Sequence, residues 1–150
     1  MRLAVFASGS GTNLQSILDA IERGDVPAQP ACCVSNTHKA GALDRAEQAD
    51  VPTTVVEPAA HSSPASFGRA LLDELQAYDV DFVALAGYTM KVPPRVVAAY
   101  GERMTNLHPA LLPAFGGKGM YGMRVHEAVI EHGVHWSGVT VHLVDDEYDH

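Results

Sequence analysis

The sequence is short of positive charge. Its 10 lysines and arginines face 18 aspartates and glutamates, a net charge of −8 with histidine counted neutral. A broad nucleic-acid surface needs clustered Lys and Arg, so no nucleic-acid partner is expected. A single phosphate on a small molecule is still admissible, because backbone N–H groups can hold one. Long apolar runs are missing too. None approaches the roughly 20 residues that span a bilayer, so no membrane partner is expected either. The start, "MRLAVFASGSG", carries one basic residue and a short apolar run before its glycines, which reads as a strand rather than a secretory leader.

Cysteine is scarce, with two thiols side by side in "ACCVSN". On a strand, Cys32 and Cys33 point to opposite faces and cannot easily pair. Two thiols inside an apolar run suit small core positions of a cytoplasmic protein, and no second cysteine pair completes a metal or redox site. The histidines also lack a ligand spacing. A set of His108, His126, His142 and an aspartate has no His-x-x-x-His to support it, so no metal is expected. Internal repeats, low-complexity segments and interdomain linkers are absent as well.

What is present is apolar material in alternation. Hydrophobic residues make up 47% of 150 residues, enough for one globular domain with a real core. Arg2–Ala7 is a short apolar run, and Leu14, Ile17, Leu18 and Ile21 follow at i, i+3, i+4, i+7, one face of a helix ended by Gly24. "ACCV" reads as a strand, "AGALDRAEQA" as a helix and "TTVVE" as a strand. "SPASFGRALLDELQAY" is a helix with Pro64 near its first turn and Phe67, Leu71, Leu72 and Leu75 inward. "DFVALAG" is a continuous apolar strand of the kind buried on both faces. This alternation predicts an α/β fold, a doubly wound and mostly parallel sheet. Ligands then sit beyond the carboxyl ends of the strands, and the loops following strands become the informative segments.

Three of these loops carry recognisable chemistry. In "SGSGTN", Gly9 and Gly11 let the backbone turn sharply and approach a ligand at a helix N-terminus. Leu14 stands where a dinucleotide fingerprint needs its third glycine, and no Gly-Lys-Ser/Thr follows, so the loop suits one phosphate. An equal alternative is a tight turn with Thr12 or Asn13 capping the helix. In "NLHPALLP", Asn106 and His108 are two apart and project to one side of an extended segment. Asn offers an N–H to a developing oxyanion and His switches protonation near neutral pH, although a lone His beside Pro is more often a turn residue. The glycines from Gly116 to Gly122 predict a flexible loop. In "VTVHLVDDEYD", Val139, Val141 and Leu143 alternate with Thr140, His142 and Val144, a strand running into an acidic turn.

Taken as a set, "SGSGTNLQSI", "VSN", "LAGY", "NLHPALLP" and "GVTVHLVDDEYD" resemble, in order and spacing, the folate-dependent glycinamide ribonucleotide formyltransferases. The resemblance covers the whole chain and implies a Rossmann-like formyltransferase fold. It implies a cytoplasmic enzyme of purine biosynthesis that moves a formyl group from 10-formyltetrahydrofolate to the amine of glycinamide ribonucleotide. It places the catalytic residues at Asn106, His108 and Asp149, and the substrate phosphate on Gly11, Thr12 and Asn13. It places folate against Leu85, Gly87, Met90 and Val144, with Asp146 near the pterin. It calls for no metal.

Two departures stand out. Many relatives carry Met-Arg directly after the "AGY/F" segment, where this sequence has "TMK". The loop after "HPALLPAF" reads "GGKGMYGMRVHEA" in place of Pro-Gly-x-His. The family also continues past its Asp with a glycine, further strand and a C-terminal helix. The resemblance therefore implies a single catalytic domain over residues 1–150 without those last elements, and an exposed apolar surface that would promote self-association into a homo-oligomer. Other readings are a formyltetrahydrofolate deformylase, another folate-dependent formyltransferase, or a catalytically weak small-molecule-binding remnant.

Overall fold

The computed structural model describes residues 1–145. The predicted Asp146 and Asp149 lie outside the described residues. Six strands form one sheet in the order β3–β2–β1–β4–β5–β6. They are β1 (Arg2–Phe6), β2 (Gln29–Ser35), β3 (Thr53–Val55), β4 (Phe82–Leu85), β5 (Met104–His108) and β6 (Thr140–Leu143). All neighbouring pairs are parallel except β5 with β6, which is antiparallel. The expected mostly parallel sheet is what forms.

Helices α1 (Thr12–Glu22) and α2 (Gly41–Gln48) cover one face. Leu14, Leu18, Ala42 and Leu43 pack there with Leu3, Val5 and Cys33. Helices α3 (Pro64–Ala77) and α4 (Pro94–Tyr100) cover the other, where Phe67, Leu71, Leu75 and Val96 meet Phe6, Cys32, Val34 and Met104. The adjacent cysteines thus enter different cores, as strand alternation requires. Burial pushes the Cys32 thiol up to about 12 and the Cys33 thiol up to about 11, so both stay neutral.

Local sequence sets the helix ends. Ser63 and Ser66 exchange hydrogen bonds in a capping box at the start of α3, with Pro64 in the first turn. Arg23 closes α1, and Gly24, at φ +80°, takes the left-handed conformation beyond it.

The structure corrects four expectations. Thr12 and Asn13 are helical residues and not caps: Gly11 is the N-cap and no side chain caps it. Leu72 is only partly buried, because it sits at the margin of the inward stripe. Phe82 and Ala84 of β4 are also partly buried, so that strand is covered less evenly than its apolar run suggests. The segment after Gly122 is helix α5 (Met123–Glu131), which buries only Val125.

The chain winds from β1 out to β3 and returns to place β4 on the other side of β1. Loops leaving β1 and β4 therefore diverge and open a crevice at the carboxyl end of the sheet.

Candidate functional site

That crevice is a cleft of about 680 Å³. Its floor begins at the loop between β1 and α1. Gly11 has φ +78°, a conformation costly for any other residue, and a Cβ there would lie 2.5 Å from the Ala42 Cα. The loop can rest on α2 only because Gly11 has no side chain. Two contacts hold it down: the Ala42 N–H donates to the Gly9 carbonyl at 3.1 Å, and the Arg45 Nε–H donates to the Ser10 carbonyl at 2.8 Å. No described side chain caps this helix, and its first residues, Gly11 to Asn13, line the cleft at the positive end of the helix dipole. Gly9 differs from the expectation. Its φ is ordinary and a Cβ would meet nothing within 4 Å, so it leaves open space and is not needed for the turn.

The second wall is the loop after β4. Gly87, at φ +81°, turns the chain so that Tyr88, Met90 and Lys91 line the cleft with Leu85. Burial raises the Tyr88 phenol well above its ordinary range, and its ring packs edge-on against Phe6 at 5.2 Å.

The third wall comes from β5 and β6. Asn106 and His108 both reach the cleft, and His108 is almost fully buried at 2% exposure. The ladder sets Asn106 opposite His142. Their side chains meet at 3.0 Å between Asn106 Nδ2 and His142 Nε2, while His142 Nδ1 lies 2.9 Å from the Leu143 carbonyl. A carbonyl only accepts, so His142 carries its proton on Nδ1 and its Nε2 accepts from Asn106. That bond orients the Asn106 amide and leaves its second N–H for another acceptor. His108 Nε2 donates to the Phe115 carbonyl at 2.9 Å. Thr140 ties the start of β6 to the segment after His108, donating to the Ala110 carbonyl at 2.7 Å and accepting from the Leu112 N–H at 3.0 Å.

Every described residue of the expected site therefore lines one cleft: Gly11, Thr12, Asn13, Leu85, Gly87, Met90, Asn106, His108 and Val144. Sequence reasoning did not assign His142 to the reacting group, weighing it only as a metal ligand. Its signal was the alternation that puts it on the same strand face as Thr140 and Val144. Met120, Tyr121 and His126 also line the cleft, brought there by the glycine segment and α5, and no motif announced them. Among the described residues, no group of three or more His, Cys, Asp or Glu side chains could hold a metal ion. No helix among them is long and apolar enough to cross a membrane.

A family profile described as formyl transferase matches residues 1–150. The chain is 43% identical over 153 residues to the chloroplastic phosphoribosylglycinamide formyltransferase of Arabidopsis thaliana, covering 99% of this chain and 51% of that one. It is 39% identical to the phosphoribosylglycinamide formyltransferase of Haemophilus influenzae, covering 99% and 68%. The solved glycinamide ribonucleotide transformylase 1 of Symbiobacterium toebii superposes with a TM-score of 0.92 at 42% identity, covering 99% of this chain and 68% of that one. The chain thus spans about half the length of the plant relative and two thirds of the bacterial ones. It belongs to the formyl transferase family, and its similarity there is to the phosphoribosylglycinamide formyltransferases.

Proposed function

We propose that this chain is a single catalytic domain that transfers a formyl group from 10-formyltetrahydrofolate to the amine of glycinamide ribonucleotide. One observation carries the reading. An uncapped helix N-terminus suited to a phosphate and an amide–imidazole pair suited to an oxyanion face the same cleft. Its volume of about 680 Å³ falls in the range of small-molecule sites.

The chemistry follows from those groups. The phosphate of the amine substrate rests on the N–H groups of Gly11, Thr12 and Asn13, where the helix dipole favours an anion. The folate lies against Leu85, Gly87, Met90 and Val144, with Asp146 near its pterin. The amine nitrogen attacks the formyl carbon, and the carbonyl π electrons move onto oxygen. The second N–H of Asn106, already oriented by His142, stabilises that oxyanion, joined by His108 when its ring carries a second proton on Nδ1, since its Nε2–H is given to Phe115. Loss of the amine proton, for which Asp149 is the proposed acceptor, precedes collapse. The C–N10 bond then breaks as N10 takes up the proton the amine gave to the acceptor, and tetrahydrofolate leaves. Positioning and fixed dipoles suffice for this step, and no metal is part of the proposal. Two neutral thiols held in separate cores suit a cytoplasmic setting.

The test mixes the chain with glycinamide ribonucleotide and 10-formyltetrahydrofolate and follows tetrahydrofolate release. Amine-dependent release is expected. Formate release without the amine would identify a deformylase. Ligand binding with no turnover would identify a binding remnant.

A further inference from the structure

Ser8 leaves β1 at the crevice, and its side chain lies where three loops meet. A serine hydroxyl has one proton and two lone pairs. Here the proton goes to Asn36 Oδ1, in the loop that follows β2. One lone pair accepts the Thr89 N–H at 3.0 Å, in the loop that follows β4. The Ser8 N–H in turn donates to the Gly87 carbonyl at 3.0 Å. Strands β2, β1 and β4 are neighbours in the sheet, so one residue joins the carboxyl ends of three consecutive strands across the point where the winding reverses. With its proton already given to Asn36, the hydroxyl is spoken for as a donor, and its role is mechanical.

The two loops it joins face different halves of the cleft. On one side, Gly9–Gly11 leads into α1 and is held to α2 through Ala42 and Arg45. On the other, Gly87 turns the chain toward Met90 and Lys91. In a reaction between two bound molecules, the distance between these halves decides whether the reacting atoms meet. A displacement of about 1 Å can cost about 10²-fold in rate.

We propose that Ser8 is a positioning residue: its hydroxyl latches the loop after β4 to the loop after β1 and so fixes the separation of the two substrates. This rests on the formyl-transfer reading of the cleft. It assigns Ser8 no contact with either substrate, only control of where the two walls stand.

The test uses Ser8→Ala, which removes the hydroxyl, and Ser8→Thr, which keeps it, in the 150-residue chain. Three quantities are read: steady-state kcat and KM, calorimetric affinity for glycinamide ribonucleotide and for folic acid taken singly, and hydrogen exchange at the Thr89 amide. In Ser8→Ala, kcat is expected to fall about 10–100-fold. Each single-ligand affinity should change less than about threefold, because the individual walls remain, and Thr89 should exchange faster. Ser8→Thr should restore all three. A purely structural role would lower the melting temperature and leave kcat of the folded fraction unchanged, which overturns the proposal. So would a Thr variant as impaired as the Ala variant, or loss of one ligand's affinity alone.

If the wild-type chain shows no turnover, it is the formyl-transfer reading that fails. The latch is then decided by Thr89 exchange, and unchanged protection in Ser8→Ala overturns it. Should Ser8→Ala fail to fold, Asn36→Ala frees the same hydroxyl from its acceptor. Faster Thr89 exchange is expected there, and unchanged exchange overturns the latch.

Discussion

The two ends of the sheet are built differently. From β3 to β4, helices pack on both faces, and Phe6, Cys33, Val34 and Val83 have no exposed surface. At the other end, β6 is antiparallel and outermost among the described residues, with Val141 and Leu143 at 66% and 51% exposure, and Trp136 and Val139 before it at 87% and 57%. The proposed phosphate loop grows from the packed end, while the proposed reacting pair, Asn106 and His108, sits on β5 beside the open one. Close packing of Gly11 on α2, helped by the hydrogen bonds from Ala42 and Arg45, fixes the first. Directed hydrogen bonds fix the second, through His142, Phe115 and Thr140. Stability and chemistry are thus assigned to different parts of one sheet, and they should respond to different mutations.

The largest expected effect is on stability at the packed end. Phe6→Ala deletes a fully buried ring and should cost about 3–5 kcal/mol in urea unfolding. Val141→Thr, on the open face, should stay within about 0.5 kcal/mol. Comparable costs at the two sites would break the contrast, and would mean that the β6 face is covered in solution.

Next comes chemistry without stability. Asn106→Ala should lower kcat about 10²–10³-fold, by analogy with removal of an oxyanion donor. Its midpoint in urea should barely move, since the residue is only half-buried at the open end. Activity near wild type would remove Asn106 from the mechanism.

Gly11→Ala combines both effects, because the loop is where packing and binding coincide. Its φ of +78° and the 2.5 Å approach to the Ala42 backbone should cost about 1–3 kcal/mol. Affinity for glycinamide ribonucleotide should fall more than affinity for folic acid. Gly9→Ala is the control: with ordinary φ and no close neighbour it should leave stability unchanged. Equal stability losses at Gly9 and Gly11 would refute the packing account of the loop.

The same contrast explains what the sequence disclosed. Strand alternation assigned Cys32 and Cys33 to opposite faces correctly, because both faces there are filled and period 2 has one consequence. Alternation in β6 was equally legible, yet it could not say that Val141 would be exposed, because the facing of an edge strand depends on what packs over it. Helix α5 was hidden by the glycines before it and by an inward stripe reduced to Val125. Thr12 looked like a cap because hydroxyl residues favour that position, but the close approach of Ala42 requires glycine at the cap and moves Thr12 into the helix. Residues in the cleft were found where a motif spelled a backbone geometry or an extended pair. His142 was missed because its partner, Asn106, lies across a ladder 36 residues distant in sequence.

The smallest effect tests whether packing alone holds the Tyr88 ring at the packed end. The Tyr88 hydroxyl is buried and has no hydrogen-bond partner among the described residues, while its ring packs edge-on against Phe6. Tyr88→Phe keeps the ring and removes a polar atom that burial penalises. Stability should therefore be unchanged or rise by up to about 1 kcal/mol, with kcat unaffected. A loss above about 1 kcal/mol would show that the hydroxyl has a polar partner in solution. The Tyr88 ring would then be held by a directed hydrogen bond as well as by packing.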